Sequence, residues 1–217
     1  MCGGFAIFSS INDIIKYYNI LNCEFNFNPN YNASPGQNIL SIKSGISNIL
    51  CKMNWGIESS NKKRKITNIR SETVAKNFNH LISQKRCIIP ANGFYEWKNR
   101  KPYYIKSKKN EFLNLGGVFT EWNDGTGKIF YKTAILTTCS QKRLYEIHNR
   151  KPVVINYNDI NLWLDSQKNI NPNTLVDKFP EENLEFYRVS AQVNKYWNNF
   201  PGLNEKLTDI YETPDLF

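Results

Sequence analysis

Residues 86–98 read RCIIPANGFYEWK and open the strand-rich middle of the chain. Their β-branched and aromatic residues, set between turn residues, predict strands. The same composition predicts further strands at PYYIK (102–106), FLNLGGVFTEW (112–122) and IFYKTAILTT (129–138). Because strands outnumber the scattered helical patterns, we predict an α+β fold with a twisted, barrel-like, mainly antiparallel sheet and flanking helices.

Outside this middle, apolar residues at helical spacing predict helices over 10–20, 71–84, 140–148 and 158–166, the first with Ser10 as its N-cap. The Asn-rich stretch 26–38 and the basic stretch 58–70 carry turn residues and charges, which predict loops. The sequence shows no internal repeat and no long linker. We therefore expect one domain over residues 1–217.

The charge balance points to a polyanionic partner. The chain of 217 residues has 28 Lys and Arg against 19 Asp and Glu, a formal net charge of +9. Nucleic acid is the commonest partner of such a chain. The alternative is that a Lys- and Asn-rich chain is basic without any binding role.

The cysteines do not suggest a zinc site or a disulfide framework. They stand at positions 2, 23, 51, 87 and 139, an odd number with no Cys-x-x-Cys pair. No signal peptide and no run of about 18 apolar residues is found. We therefore expect a cytoplasmic protein with reduced cysteines and without a metal, associated with the nucleoid when bound to DNA.

Three segments hold polar residues suited to chemistry. His148 lies where a predicted helix meets a strand and could be functional or a helix C-cap. Glu96 stands between two aromatic residues, so it is either a desolvated general acid or a solvent-facing strand residue. Asn68 and Arg70 precede a predicted helix start, which favours phosphate binding or is an ordinary helix N-terminus with a surface arginine.

Cys2 directly follows the first methionine. If Met1 is removed, Cys2 carries a thiol and a free α-amine on adjacent carbons. On position alone, the opening residues favour the alternative that Cys2 is a small apolar residue at the start of a buried strand.

Six motifs in order resemble the SOS-response-associated peptidase (SRAP) family. They extend from residue 1 to about residue 203, and only their combination is specific. They are MCGGF (1–5), YNASPGQ (31–37), NIRSET (68–73), RCIIPANGFYEWK (86–98), HNRKPVVI (148–155) and VSAQVNKYWNNFPGL (189–203).

The resemblance implies a compact α+β domain that binds single-stranded DNA and crosslinks covalently to abasic sites, shielding the lesion in the DNA damage response. It implies no cofactor, and we expect a monomer. The positions that match the family's reactive residues are Cys2 as nucleophile, Asn68, Glu96 and His148. The positions implied to bind DNA are Arg70, Asn32, Trp55, Trp97, Arg150 and Asn194.

Three positions depart from the family pattern. Gly4 replaces an arginine that contacts DNA, Asn149 replaces an aspartate, and WGIESS (55–60) lacks a proline and a second tryptophan. None of the four reactive positions is affected.

Other functions remain open at this stage. A glutamine amidotransferase also uses an N-terminal Cys-Gly, but it usually carries a second domain for which this chain has no room. A cysteine peptidase could use Cys2, Glu96 and His148, acting on its own Met1. A non-catalytic single-stranded DNA binder would not need Cys2 at all. We expect an enzyme that crosslinks to abasic DNA, of lyase-like or thiol autopeptidase class.

Overall fold

The structure is a computed structural model that describes residues 2–21, 26–45, 47–59, 63–109, 112–168, 173–176 and 178–208. In this part of the chain the strands are β1 Gly4–Ile7, β2 Asn30–Ala33, β3 Asn38–Lys43, β4 Ile49–Trp55, β5 Ile57–Glu58, β6 Lys65–Ile66, β7 Asn68–Arg70, β8 Arg86–Ala91, β9 Gly93–Lys98, β10 Lys101–Ser107, β11 Leu113–Asn123, β12 Ile129–Cys139, β13 Arg150–Pro152, β14 Val154–Ile155 and β15 Leu184–Arg188. The helices are α1 Ile11–Tyr17, α2 Ser71–Asn77, α3 Asn79–Gln84, α4 Lys142–Tyr145, α5 Ile160–Leu164 and α6 Asn173–Val176. Short 3-10 helices lie at Tyr157–Asp159, Glu181–Asn183, Ala191–Asn194 and Pro201–Asn204.

Five strands close into a barrel. The pairing order is β12-β4-β3-β8-β11, and β11 pairs with β12 to complete the ring. Four of these pairings are antiparallel, and β12 with β4 is parallel. A Cβ at Gly117 of β11 would lie 2.5 Å from Ile89 Cδ1 and 3.0 Å from the Ala134 oxygen, so only glycine lets the strands approach this closely.

A second sheet of five antiparallel strands lies in the order β15-β10-β9-β1-β2. The stretch 86–98 joins the two sheets, because β8 belongs to the barrel and β9 to the second sheet. Asn92 stands at the crossing, where its Oδ1 accepts hydrogen bonds from the backbone N–H groups of Phe8 (2.8 Å) and Ser9 (3.2 Å). The crossing therefore fixes the segment after β1 against the barrel.

One face of the second sheet is covered by the segment that follows β15. Val193 and Leu203 of this segment pack with Tyr95, Tyr104 and Ala6 in a small apolar cluster. The larger core cluster lies between the sheets and within the barrel. Burial of these apolar side chains is the main stabilising contribution to the fold.

The predicted α+β fold with a barrel-like, mainly antiparallel sheet is confirmed. The first helix begins as predicted, with the Ser10 side chain accepting from the Asp13 N–H at 3.1 Å. Local details differ. The helix predicted over 71–84 is divided at Phe78, which takes a non-helical φ of −138°. The predicted loop 26–38 contains β2 and the start of β3, and the loop 58–70 contains β7.

Within the described residues, no helix combines the length and apolar character needed to cross a membrane.

Candidate active site

Cys2 lies immediately before β1 and is fully buried. Its thiol donates a weak hydrogen bond to the Gly4 carbonyl, with Sγ 3.7 Å from the oxygen. Burial raises the pKa of this thiol well above its usual range, and the nearby Glu96 carboxylate raises it further. The Cys2 sulfur is therefore a neutral thiol near pH 7, not a thiolate.

Asn68 approaches Cys2 from the barrel. It begins β7, which pairs in parallel with β12 through Asn68 and Ile135. The Asn68 Nδ2 donates to the Cys2 carbonyl at 3.0 Å. The Asn68 Oδ1 is buried and accepts no hydrogen bond from the described residues. A buried amide oxygen without a donor is costly, so this atom is available to a donor brought by processing or by substrate.

Glu96 comes from β9, the strand beside β1 in the second sheet. Its side chain is only 2% exposed. Burial raises the pKa of this carboxyl from 4.5 to about 7. A carboxyl that is half protonated near neutral pH can both donate and accept a proton.

His148 lies between α4 and β13. Its Nδ1 is 3.8 Å from Glu96 Oε2, and the same Nδ1 lies 3.0 Å from both the backbone nitrogen and oxygen of Arg150. Partial burial lowers the pKa of the imidazole. The ring is thus anchored at one nitrogen beside Glu96 and favours its neutral form.

The structure brings the four predicted reactive residues together. Asn68 bonds to Cys2, Glu96 acts electrostatically on Cys2, and His148 adjoins Glu96. They come from the segment before β1, from β7, from β9 and from the loop before β13. Their roles as nucleophile, binding group and acid-base groups stay predictions.

Three of the predicted DNA-binding residues are accessible to solvent. Arg70 is exposed and stands at the N-cap of α2. Asn194 is exposed, and its Oδ1 accepts from Nε1 of the half-buried Trp97 at 2.7 Å. Contact with DNA therefore remains geometrically open to all three.

The other three predicted DNA-binding residues have structural contacts instead. Trp55 is fully buried, and its Nε1 donates to the Thr67 carbonyl at 2.9 Å. Asn32 is 5% exposed and donates to the carbonyls of Val193 and Lys195. Side chains buried this deeply present almost no surface to a strand of DNA, so a DNA contact of Trp55 or Asn32 stays a prediction that this structure does not support.

Arg150 is nearly buried and holds together two parts of the site. Its Nη1 and Nη2 bond to the two Glu72 carboxylate oxygens at 2.8 and 3.0 Å. Nη2 also donates to the Thr137 carbonyl at 2.5 Å and to the Thr137 hydroxyl at 3.1 Å. The guanidinium lowers the pKa of Glu72 through these bonds. Sequence reasoning missed this pair, because it joins residues 78 positions apart.

The described residues offer no obvious metal site. No group of three or more His, Cys, Asp or Glu side chains within them is arranged to hold an ion. Cys2, Cys51, Cys87 and Cys139 are free thiols, and Cys23 lies outside the described residues.

Sequence reasoning also missed an exposed aromatic pair, Tyr196 and Trp197. Both side chains are 65% exposed, and their rings meet edge to face with centroids 5.0 Å apart. Two consecutive aromatic residues in a stretch rich in Asn were the available signal.

Solved structures share this fold. A protein from Bacteroides thetaiotaomicron superposes with a TM-score of 0.79 at 21% identity, over 95% of this chain and 100% of that one. A phage-related protein from Bordetella bronchiseptica superposes with a TM-score of 0.72 at 24% identity, over 87% of this chain and 94% of that one.

Sequence relatives carry a more specific description. The chain is 35% identical over 223 residues to the abasic site processing protein YoqW of Bacillus subtilis, covering 94% of this chain and 99% of the relative. It is 28% identical over 218 residues to the abasic site processing protein HMCES of Xenopus tropicalis, covering 81% and 65%. The family model described as SOS response associated peptidase (SRAP) matches residues 1–196. The chain therefore belongs to the SRAP family.

Proposed function

We propose that this protein processes abasic sites in single-stranded DNA by forming a covalent thiazolidine between Cys2 and the open-ring aldehyde of the lesion. The observation that carries the proposal is the buried Cys2 held between Asn68 and the raised-pKa carboxyl of Glu96. The names of the relatives YoqW and HMCES support the same lesion as substrate.

The chemistry begins at the amine. Removal of Met1 makes Cys2 the N-terminal residue. A free α-amine has a pKa of about 7.7–8.0, so roughly 10% is neutral at pH 7, far more than for an unperturbed lysine. The neutral amine attacks the aldehyde carbon, and loss of water leaves an imine.

The thiol then completes the ring. The Cys2 sulfur adds to the imine carbon, and its proton passes to the imine nitrogen, so a C–S bond forms while the C=N double bond becomes single. Because amine and thiol sit on adjacent carbons of one residue, closure is intramolecular and strongly favoured over attack by a separate thiol. A neutral, buried thiol suits this second step, since its proton is needed in the product.

Glu96, His148 and Asn68 take supporting roles. Protonated Glu96 donates to the sugar ring oxygen while the C1 hydroxyl releases its proton to solvent, so the bond from C1 to the ring oxygen breaks and the aldehyde forms; the Glu96 carboxylate then accepts a proton from the attacking amine. His148, 3.8 Å away, exchanges protons with Glu96 and with the departing water. Asn68 holds the Cys2 backbone through Nδ2, and its Oδ1 is a ready acceptor for the new α-amine.

The geometry favours crosslinking over cysteine-peptidase chemistry. A cysteine peptidase activates its thiol as a thiolate beside a histidine. Here the Cys2 thiol has a raised pKa, and its hydrogen bond within the described residues goes to the Gly4 carbonyl. The first nucleophile is therefore the amine.

The decisive experiment mixes the protein with single-stranded DNA that carries one abasic site and separates the products on a denaturing gel. A stable shift is expected with the processed protein and abasic DNA, and none with intact DNA. Cys2→Ala should abolish the shift. Cys2→Ser should give only an imine, which borohydride traps but which does not survive denaturation untreated. Cys51→Ala, a thiol outside the site, is the matched control and should crosslink normally.

The N-terminus is checked by intact mass. A variant that retains Met1 should fail to crosslink although it still binds DNA. Full crosslinking by Cys2→Ala, or by a protein with Met1 in place, would refute the mechanism.

A further inference from the structure

Within the described residues, the pair Tyr196 and Trp197 is largely exposed to solvent. With 65% of each side chain in solvent, the two rings present aromatic surface that folding does not bury. Single exposed apolar residues are ordinary, but two adjacent aromatic rings in contact form a patch suited to binding.

The backbone on the N-terminal side of the pair is fixed in place. Asn194 accepts from Trp97 Nε1 at 2.7 Å, and the Lys195 carbonyl accepts from Asn32 Nδ2 at 3.2 Å. One indole donor and one amide donor thus hold Asn194 and Lys195, the two residues directly before the rings.

The backbone on the C-terminal side is fixed equally well. Asn198 Nδ2 donates to the Gln192 carbonyl at 2.9 Å. Asn199 Oδ1 accepts from the Tyr31 N–H at 2.7 Å, and Asn199 Nδ2 donates to the Pro29 carbonyl at 3.2 Å. The rings therefore stand on a preorganised loop, which lowers the entropy cost of binding.

The same bonds tie the aromatic loop to strands that carry or adjoin the candidate active site. Trp97, which holds Asn194, directly follows Glu96 on β9. Asn32, which holds Lys195, has its Oδ1 3.7 Å from where a Cβ on Gly4 would lie, and Gly4 is two residues from Cys2. The anchors of the aromatic loop thus lie on β9, which carries Glu96, and on β2, which pairs with β1; the Trp97 side chain points to the face of the sheet opposite Glu96.

The surroundings of the pair are basic. Segments 97–103 and 190–204 contain four cations and no Asp or Glu. The cations are Lys98, Arg100, Lys101 and Lys195, all exposed. Lys98 and Lys101 are register partners across the β9–β10 turn, so their charges are concentrated at one edge. Exposed aromatic rings among cations fit a ligand with negative charges and flat bases, namely single-stranded nucleic acid.

We propose that Tyr196 and Trp197 form a stacking platform for a base that flanks the abasic nucleotide. The inference rests on the proposed function and adds a binding surface to it. A base next to an abasic site has lost its stacking neighbour on one side, so an aromatic side chain can cover that face. Such stacking tolerates any base, since every base has a π-face.

The test separates binding from crosslinking. The probe is single-stranded DNA with a tetrahydrofuran abasic analogue, which has no aldehyde, and with the fluorescent base aminopurine on its 5′ or 3′ side. Binding is followed by anisotropy and stacking by quenching of aminopurine. The wild type should quench the probe on one side of the lesion. Tyr196→Ala/Trp197→Ala should weaken binding about tenfold or more and abolish the quenching.

Two controls guard against misfolding and general surface effects. Tyr196→Phe/Trp197→Phe should keep affinity and quenching, because it keeps both rings. Trp122→Ala removes another exposed tryptophan, 56% exposed near the tip of the β11–β12 hairpin, and should change neither. Unfolding temperatures of all variants are compared.

Each contrary result has one meaning. Unchanged affinity of the double alanine variant overturns the platform and leaves the proposed function intact. Absence of quenching by the wild type on both sides also overturns it. Failure of the wild type to bind the probe at all contradicts the single-stranded DNA binding on which both proposals depend.

Discussion

Glu96 and His148 stand with Oε2 and Nδ1 3.8 Å apart, and the pKa of each is shifted toward its neutral form. The distance is too long for a direct hydrogen bond, and near pH 7 a full ion pair is not favoured. A carboxyl with a pKa of about 7 beside an imidazole is suited to exchanging a proton with it through one bridging water. Holding Glu96 in this buried position should cost folding free energy.

We therefore expect Glu96→Gln to stabilise the protein at alkaline pH. The folded-state pKa of about 7 exceeds the unfolded value of 4.5, so the folded state binds more protons and stability falls as pH rises from about 4.5 through 7. The full cost above pH 7 is about 3 kcal/mol. Urea unfolding should show the variant more stable than the wild type at pH 8, with the difference disappearing near pH 4.5.

Glu121→Gln, on the surface, is the control and should stay within about 0.5 kcal/mol of the wild type. Equal or lower stability of Glu96→Gln at pH 8 would contradict the buried, raised-pKa carboxyl. The same variant should crosslink slowly despite its stability, which is the trade expected at a reactive site.

Much of the fold follows from local pattern, but its closure does not. Residues 86–98 show by composition that they form strands, yet nothing in them shows that β8 and β9 enter different sheets. The ring also needs the parallel pairing of β12 with β4, two strands far apart in the chain. Asn68 lies in a stretch whose charges predict a loop, and only its pairing with Ile135 makes it a strand. Tertiary pairing overrides local propensity in such segments.

The site shows the same division. From its aromatic neighbours in sequence, Glu96 could be either desolvated or exposed to solvent. The structure shows that its side chain is buried. The resemblance named Arg150 as a DNA contact, but sequence gives no sign of its bidentate pair with Glu72. The burial of Trp55 could not be predicted from the sequence either, because a tryptophan suited to stacking on a base is equally suited to the core.

Asn68→Asp should shift the pH dependence of crosslinking upward. We propose that the Asn68 Oδ1, buried and without a donor among the described residues, accepts from the processed α-amine, and a carboxylate there would favour the ammonium form. The amine pKa then rises, so less neutral amine exists at pH 7. Single-turnover rates should fall severalfold or more at pH 7 and recover toward the wild type by pH 9. Asn79→Asp, exposed on α3, should leave the profile unchanged. A pH-independent loss in Asn68→Asp would exclude this role.

Arg70 and Arg150 should respond differently to truncation. The sequence predicts that exposed Arg70 contacts a DNA phosphate, so Arg70→Ala should weaken single-stranded DNA binding and reduce the salt slope by about 0.7, with little change in stability. Arg150→Ala removes bonds to Glu72 and to Thr137, and should cost about 2 kcal/mol in urea unfolding. Anisotropy titrations at several salt concentrations distinguish the two. An Arg150→Ala variant of unchanged stability would show that the ion pair does not hold the site together.

Gly4→Arg should strengthen DNA binding. A Cβ at Gly4 would meet the Ala33 oxygen at 3.4 Å, Tyr95 Cδ2 at 3.6 Å and Asn32 Oδ1 at 3.7 Å, all ordinary contacts. A Cβ therefore fits at this buried position without displacing the sheet. One added phosphate contact should steepen the plot of log affinity against log salt by about 0.7 and tighten binding severalfold at low salt.

Gly4→Gln is the matched control, since it adds a side chain without the charge and should keep the wild-type slope. Both variants should fold normally, as judged by their unfolding temperatures. If Gly4→Arg leaves the slope unchanged while remaining folded, DNA does not pass beside the start of β1. That result would contradict a path of the DNA strand past Gly4 and a position of the lesion next to Cys2.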